Sequence, residues 1–292
     1  MKLLVIFLLS PFCFFGQISF DGKVINSKSR EIIPFATVGL VKENIGTNAN
    51  EDGSFLLVSN SNKANDTLIV SCVGYLSKKL PVDLGKASNL VIELNEQEGV
   101  LDDVVIKNKN SWTLKTLNDF SGCGNRFLTT NGYQAQLAQH FVVDDSNALL
   151  TNIKICRKSM AILNPDKTIF RVRIYDINIK TKSPSTDLCN QIIEVKTKSK
   201  FVNINLEKYK IRIPNKEFFV AIEWLKISYN ENKRKTKVNG VEMEVITYSP
   251  GIGWTDNEAG TKDVWMLDYK NEWTPMIMNK AKSVAIEAAV KY

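Results

Sequence analysis

The chain has 292 residues, a formal net charge of +7, five cysteines and one histidine. One histidine cannot supply a two-His or three-His catalytic zinc site, and five cysteines without a CxxC pair make neither a zinc ribbon nor an iron–sulfur frame. Hydrophobic residues at 44% and charged residues at 24% are ordinary globular values, and the length suits one or two domains.

Residues 1–16, MKLLVIFLLSPFCFFG, read as a signal peptide. Lys2 is a short positive n-region, and Leu3–Leu9 is an apolar run too short to span a bilayer with ease. Gln17 is the expected mature start, although Phe14 is larger than the small residue usual three positions before a cut. Ser10, Pro11 and Phe12 do not match the small-residue pattern that would make Cys13 a lipid-bearing cysteine. No later stretch reaches the ~18 apolar residues of a spanning helix. The expectation is an exported chain without a transmembrane span once mature: periplasmic, on the outer-membrane surface or secreted.

Export changes what the counts mean. Losing Lys2 and Cys13 leaves a charge of +6 and four cysteines, Cys72, Cys123, Cys156 and Cys189. Outside the cytosol such thiols can pair. Cys72 lies in the apolar run Leu68–Val73 and reads as a small buried hydrophobe, so any bridge is expected among the other three. The positive charge then faces glycan or lipid head groups, not nucleic acid. The basic clusters Lys196/Lys198/Lys200 and Lys233/Arg234/Lys235/Lys237 fall in polar stretches and read as solvated turns.

From Ile18 to Leu94, short apolar alternations are broken by turn residues, the pattern of a β-sandwich. The expected strands are Ile18–Ile25, Thr37–Val41, Gly53–Val58, Thr67–Val73, Lys79–Leu84 and Leu90–Leu94. Asp21-Gly22 and Asp52-Gly53 read as turns. Pro34 cannot donate to a ladder and belongs at the start of a strand or on an edge.

The order Gly22-Lys23-Val24, Pro34-Phe35-Ala36-Thr37-Val38, Gly46-Thr47, Asp52-Gly53-Ser54-Phe55, Asp66–Ser71 and Gly74-Tyr75 resembles the carboxypeptidase regulatory-like domain of exported Bacteroidetes proteins. The resemblance covers about 80 of the 292 residues. It implies a transthyretin-like, seven-stranded sandwich that is not itself a peptidase. Its Gly-Thr and Asp-Gly stretches would turn around a hairpin, and Phe55, Leu57, Leu68 and Val70 would fill its core. In the family this domain chiefly precedes TonB-dependent outer-membrane transporters, and Leu101–Ile106 looks like its usual end. The 182 residues after position 110 are too few for a plug and a 22-stranded barrel, at ~9–11 residues per spanning strand.

Residues 98–112 read as a linker and 113–292 as a second domain, with 17–97 as the first. A short helix over Trp112–Phe120 is expected. Strands are expected at Gln136–Val143, Leu149–Arg157, Thr168–Ile177, Gln191–Val195, Phe201–Leu206, Glu217–Ser228, Val241–Tyr248, Val264–Tyr269 and Ser283–Val290. Arg171 and Arg173 alternate with Val172 and Ile174 and are expected to point outward. Asn239-Gly240 signals a hairpin. Strands without a helical period argue for a larger, jelly-roll-like sandwich. The patterns Arg171–Tyr175, Phe201–Leu206 and Glu217–Trp224 resemble jelly-roll domains of Bacteroidetes surface proteins, some of which bind carbohydrate. The fold class is therefore all-β, two sandwiches in series.

Trp254, Trp265, Tyr269 and Trp273 crowd near a stretch read as a Gly-rich loop, Ser249–Asp256. They are the candidate ligand-binding residues, since aromatic rings stack on sugar faces and loops gather ligand contacts. The competing reading makes Trp265 and Trp273 anchors of the last strands; Trp224 reads as core. No catalytic residue, metal site or cofactor is assigned. Cys123 and His140 lack the spacing of a nucleophile pair, GxSxG, P-loop and GxGxxG patterns are absent, and Asp144–Asn147 and Asp256–Glu258 read as turns rather than calcium loops. The leading expectation is a non-enzymatic binding or adhesion module of the cell envelope, its partner an envelope protein or a glycan. Two alternatives stand beside it: a glycan-active hydrolase with unlocated carboxylates, and an accessory component of an outer-membrane transport or secretion system docking through Leu101–Ile106.

Overall fold

The structure is a computed structural model, described here at residues 18–59, 65–83, 89–97, 112–158, 168–238, 240–258, 263–267, 271–276 and 282–292. Residues 1–16, read above as a signal peptide, most of the expected linker, Leu101–Ile106 and Tyr269 lie outside these residues.

The N-terminal unit has strands β1 (Ile18–Asn26), β2 (Thr37–Leu40), β3 (Ile45–Asn48), β4 (Ser54–Ser59), β5 (Asn65–Ser71), β6 (Lys78–Asp83) and β7 (Leu90–Leu94). They form two sheets, ordered β4-β1-β7 and β3-β2-β5-β6. Strand β7 lies parallel to β1, with Gly22 opposite Leu90, so the last strand closes on the first. The period of two decides the packing. Phe55 and Leu57 of β4 are buried while Leu56 and Val58 face out. With Phe20, Val24, Val38, Leu68, Val70 and Ile92 they fill the core between the sheets, as the four core positions named from the sequence require.

Two turns expected here are strands instead. Asp21-Gly22 sits inside β1, and Gly46-Thr47 inside β3. Neither glycine serves a turn. A Cβ on Gly22 would lie 2.2 Å from the Leu90 carbonyl oxygen and 2.9 Å from the Phe55 ring; one on Gly46 would lie 2.4 Å from the Tyr133 ring. Both are close approaches, one strand to strand and one domain to domain. Gly22→Ala is expected to cost about 1–3 kcal/mol by overpacking, measured as a lower denaturant midpoint; an unchanged midpoint would contradict this contact. Asp52-Gly53 is a turn as expected: Gly53 has φ +74°, and Asp52 accepts the Ser54 N–H at 3.0 Å.

The C-terminal unit has β8 (Leu114–Leu117), β9 (Phe127–Thr130), β10 (Gln136–Val142), β11 (Ala148–Lys158), β12 (Thr168–Ile177), β13 (Pro184–Asp187), β14 (Ile193–Thr197), β15 (Phe201–Asn205), β16 (Arg212–Ile213), β17 (Glu217–Trp224), β18 (Glu231–Val238), β19 (Val241–Glu258), β20 (Val264–Leu267), β21 (Trp273–Pro275), β22 (Lys282–Val284) and β23 (Ile286–Lys291). One sheet runs β13-β12-β17-β10-β20-β21, with β14 also on β12. The other runs β18-β19-β11-β23-β8, with β15 and β16 on β11 and β9 and β22 on β19. Their facing sides bury Leu137, Ile153, Ile155, Phe170, Val172, Ile174, Val220, Ile222, Trp224 and Ile286. The chain is thus all-β in both units, and the helical pieces among the described residues are two 3₁₀ turns, Glu207–Tyr209 and Ser228–Asn230.

Three further expectations are corrected. The helix over Trp112–Phe120 is strand β8, paired with β23. The Ser249–Asp256 loop is the middle of β19. The basic run Lys233–Lys237 is strand β18, forming a hairpin with β19 across Gly240; three lysines alternating on one edge strand keep that edge soluble.

Arg171 and Arg173 do point away from the C-terminal core, but not into water. Arg171 is 1% exposed. Its guanidinium donates to the carbonyls of Pro34 at 2.9 Å and Phe35 at 3.2 Å. Phe35 itself is buried with Ile169, Leu225 and Ile227. Nearby, the Lys226 N–H donates to Asn48 Oδ1 at 2.8 Å, and Lys226 Nζ to the Gly46 carbonyl at 3.0 Å. The outer face of the β12 sheet is therefore covered at one end by the N-terminal unit.

Candidate functional site

Beyond that covered end, the same sheet face opens into a cleft of about 460 Å³ between the two units. Thr37 and Ser71 line it from the N-terminal side, and Gln136, Arg173, Tyr175, Asp187, Glu223 and Trp273 from the C-terminal side. Strand register explains the gathering. Gln136 of β10 lies directly opposite Glu223 of β17. Glu223 lies opposite Arg171 of β12, so Arg173 is its diagonal neighbour on the same face. Tyr175 lies opposite Asp187 of β13.

The polar centre is Arg173. Its Nε donates to Asp187 Oδ2 at 2.8 Å, its Nη2 to the same oxygen, and its Nη1 to Glu223 Oε2 at 3.2 Å. Burial alone would weaken the guanidinium's hold on its proton; the facing Tyr175, Glu223 and Asp187 groups overcome that and raise it above its ordinary value. Burial pushes the Asp187 carboxyl up, with Arg173 pulling the other way. Burial likewise raises the Tyr175 phenol, whose hydroxyl donates to Gln136 Oε1 at 2.8 Å. With both carboxylates ionised the trio carries one net negative charge, against the positive balance of the chain.

The apolar wall follows. Trp273 meets Tyr175 edge to face at 5.6 Å, and Trp265 meets Phe219 at 6.4 Å. Ala138, Ile177 and Ala221 complete this second, smaller cluster.

The four aromatic candidates therefore have different fates. Trp273 is half-buried and lines the cleft. Trp265 is 4% exposed beneath it. Trp254 belongs to the main core at 7% exposed, away from the cleft lining. Tyr269 lies outside the described residues. Trp224 is core, its indole N–H donating to the Pro250 carbonyl at 2.6 Å. The exposed tryptophan is Trp112, with Lys291 over its ring at 5.2 Å. Sequence reading missed Arg173, Asp187, Glu223 and Gln136. The signal was present in Arg171-Val172-Arg173, two cations at alternate positions of one strand, whose nearest acid, Asp176, falls on the opposite parity.

Other candidates resolve structurally. Cys123 and Cys156 form a disulfide with Cα atoms 6.2 Å apart, while Cys72 and Cys189 are buried thiols. His140 sits between Glu217 at 3.1 Å and Asp263 at 3.4 Å, with no thiol partner. Asp144 binds Lys115 at 2.7 Å. Among the described residues no group of three or more His, Cys, Asp or Glu side chains is placed to hold a metal ion, and no helix is long and apolar enough to cross a membrane.

Residues 20–106 match the family model of the CarboxypepD_reg-like domain. The N-terminal unit is a CarboxypepD_reg-like domain. Its Asp52-Gly53 turn and its core are those the motif order requires, while Gly46-Thr47 adds a strand where a turn was expected. No curated protein matches the chain. The CarboxypepD_reg-like domain supplies two of the residues on the cleft wall, Thr37 at the start of β2 and Ser71 at the end of β5.

Proposed function

We propose that the protein is an exported, non-enzymatic binding module of the cell envelope, and that it holds its ligand, a glycan or a segment of an envelope protein, in the cleft between the CarboxypepD_reg-like domain and the C-terminal sandwich. The observation that carries this reading is the cleft itself. It is built by both units, floored by the Arg173 cluster and flanked by the half-buried Trp273. Concave sites at domain interfaces with an apolar wall and a few fixed polar groups are where ligands usually bind. A carboxylate pair tied to one guanidinium suits positioning better than acid–base work, because Arg173 holds both carboxylates in charge-assisted bonds. A CarboxypepD_reg-like domain is consistent with a non-enzymatic role.

The cleft is tested by filling it. Ser71→Trp places an indole on the N-terminal wall. Envelope glycan and protein fractions retained by the mature chain are expected to fall at least tenfold in this variant, with an unchanged circular dichroism spectrum. Full retention by the filled variant would move the binding surface elsewhere.

A further inference from the structure

Two side chains that stand side by side on the cleft floor each have one polar atom without a protein partner among the described residues. Glu223 is 6% exposed. Its Oε2 accepts from Arg173, whereas among the described residues Oε1 receives no protein donor. Gln136 is also 6% exposed. Its Oε1 accepts from Tyr175, whereas among the described residues Nε2 meets no protein acceptor. Neither atom is fully sealed, since among the described residues the buried side-chain atoms without partners are Thr168 Oγ1 and Arg171 Nε. Gln136 and Glu223 are direct cross-strand partners, which sets their Cβ atoms about 5 Å apart on one face. The floor thus presents a carboxylate acceptor beside an amide donor, both nearly buried.

We propose, building on the cleft reading above, that the occupant is a pyranose unit without a carboxylate, its hydroxyls bridging Glu223 and Gln136 and its apolar face lying against Trp273. A hydroxyl is the one common group that donates and accepts at a single atom. One hydroxyl, or two adjacent ones, satisfies an acceptor and a donor on neighbouring side chains. The C–H face of the ring then meets the indole that closes the cleft. An acidic sugar is disfavoured because its carboxylate would enter beside Asp187 and Glu223, which already outnumber Arg173. A peptide in extended form is disfavoured because the floor is the face of a sheet, and strand addition needs a free edge.

The test is a glycan array of neutral, amino-sugar and uronate oligosaccharides probed with the full mature chain, followed by calorimetry on the binders. Neutral or amino-sugar glycans are expected to bind and purely uronate ones not to. Glu223→Gln is expected to weaken binding about ten- to a hundredfold, the range for a lost bond to a charged group. That change also touches the Arg173 ion pair, so Trp273→Ala, at the cleft wall, serves as an independent second variant. It is expected to weaken binding at least tenfold, with a circular dichroism spectrum that still reports the folded chain. Uronate binding that Trp273→Ala abolishes would overturn the sugar class and leave the cleft as the site. Glycan binding untouched by either variant would overturn the cleft as well. An array without any binder would overturn the glycan proposal, while the Ser71→Trp retention experiment would still decide the cleft.

Discussion

Replacing Arg173 by leucine is expected to lower stability by about 3–5 kcal/mol, the cost of removing one partner of a buried ion pair. Among the described residues Arg173 is the cation paired with both Asp187 and Glu223 in the cleft floor. Its side chain is 19% exposed and Asp187's 21%, so little water is present to replace it. The pH dependence has a definite sign. Burial already holds the Asp187 carboxyl above its ordinary value, and Arg173 opposes that rise. Without Arg173 the carboxyl moves up further. A folded-state value above the unfolded one gives stability that is complete below the unfolded value and is lost as pH rises through the folded value. The Arg173→Leu chain should therefore regain melting temperature as pH falls from neutral toward the ordinary carboxylate range near about 4. Adding Asp187→Asn should recover part of the loss at neutral pH. Thermal melts at several pH values check this; a variant that melts like the parent, or melts lower in acid than at neutral pH, would contradict it.

Loss of the Cys123–Cys156 bridge comes next in size. It spans 33 residues, and chain-entropy arguments give about 3–4 kcal/mol for a loop of that length. Cys156 lies on β11 and Cys123 in the segment before β9, with Phe120 and Ala285 packed around them. Gly253 passes so close that a Cβ there would sit 2.7 Å from the Cys123 Cβ. The bridge therefore fixes the lead-in of the C-terminal unit onto β11 and β19. Cys123→Ser/Cys156→Ser is expected to shift the urea midpoint of that unit and to leave Cys72 and Cys189, which burial makes poorly acidic, without a new bridge. Equal midpoints for parent and variant would show that the packing alone holds the segment.

How much of this was legible in the sequence depends on which interactions set each element. Thr168–Ile177 and Leu90–Leu94 were read to the residue because alternation and turn residues act within a few positions. Gly22 and Gly46 misled because their glycines answer to Leu90 and Tyr133, far away in sequence. Strand β18 was hidden because a solvated edge strand rich in lysine has the composition of a loop. The candidate site was half-visible. Trp273 was named, and the ring cluster around Tyr175 and Trp265 was near it. Arg173, Asp187, Glu223 and Gln136 come from four different strands, and nothing local joins them until the sheet sets their register. Trp254 shows the reverse error: a Gly-rich stretch suggested a loop, but β19 carries it into the core.

The most direct test of the cleft uses the five tryptophan indole N–H signals of the chain. Two-dimensional ¹⁵N–¹H spectra are recorded while a neutral oligosaccharide that binds on the array is added. With the ligand in the cleft, the Trp273 signal shifts in a saturable way and the exposed Trp112 signal stays still. A shift confined to Trp112, with Trp273 unmoved, would contradict it.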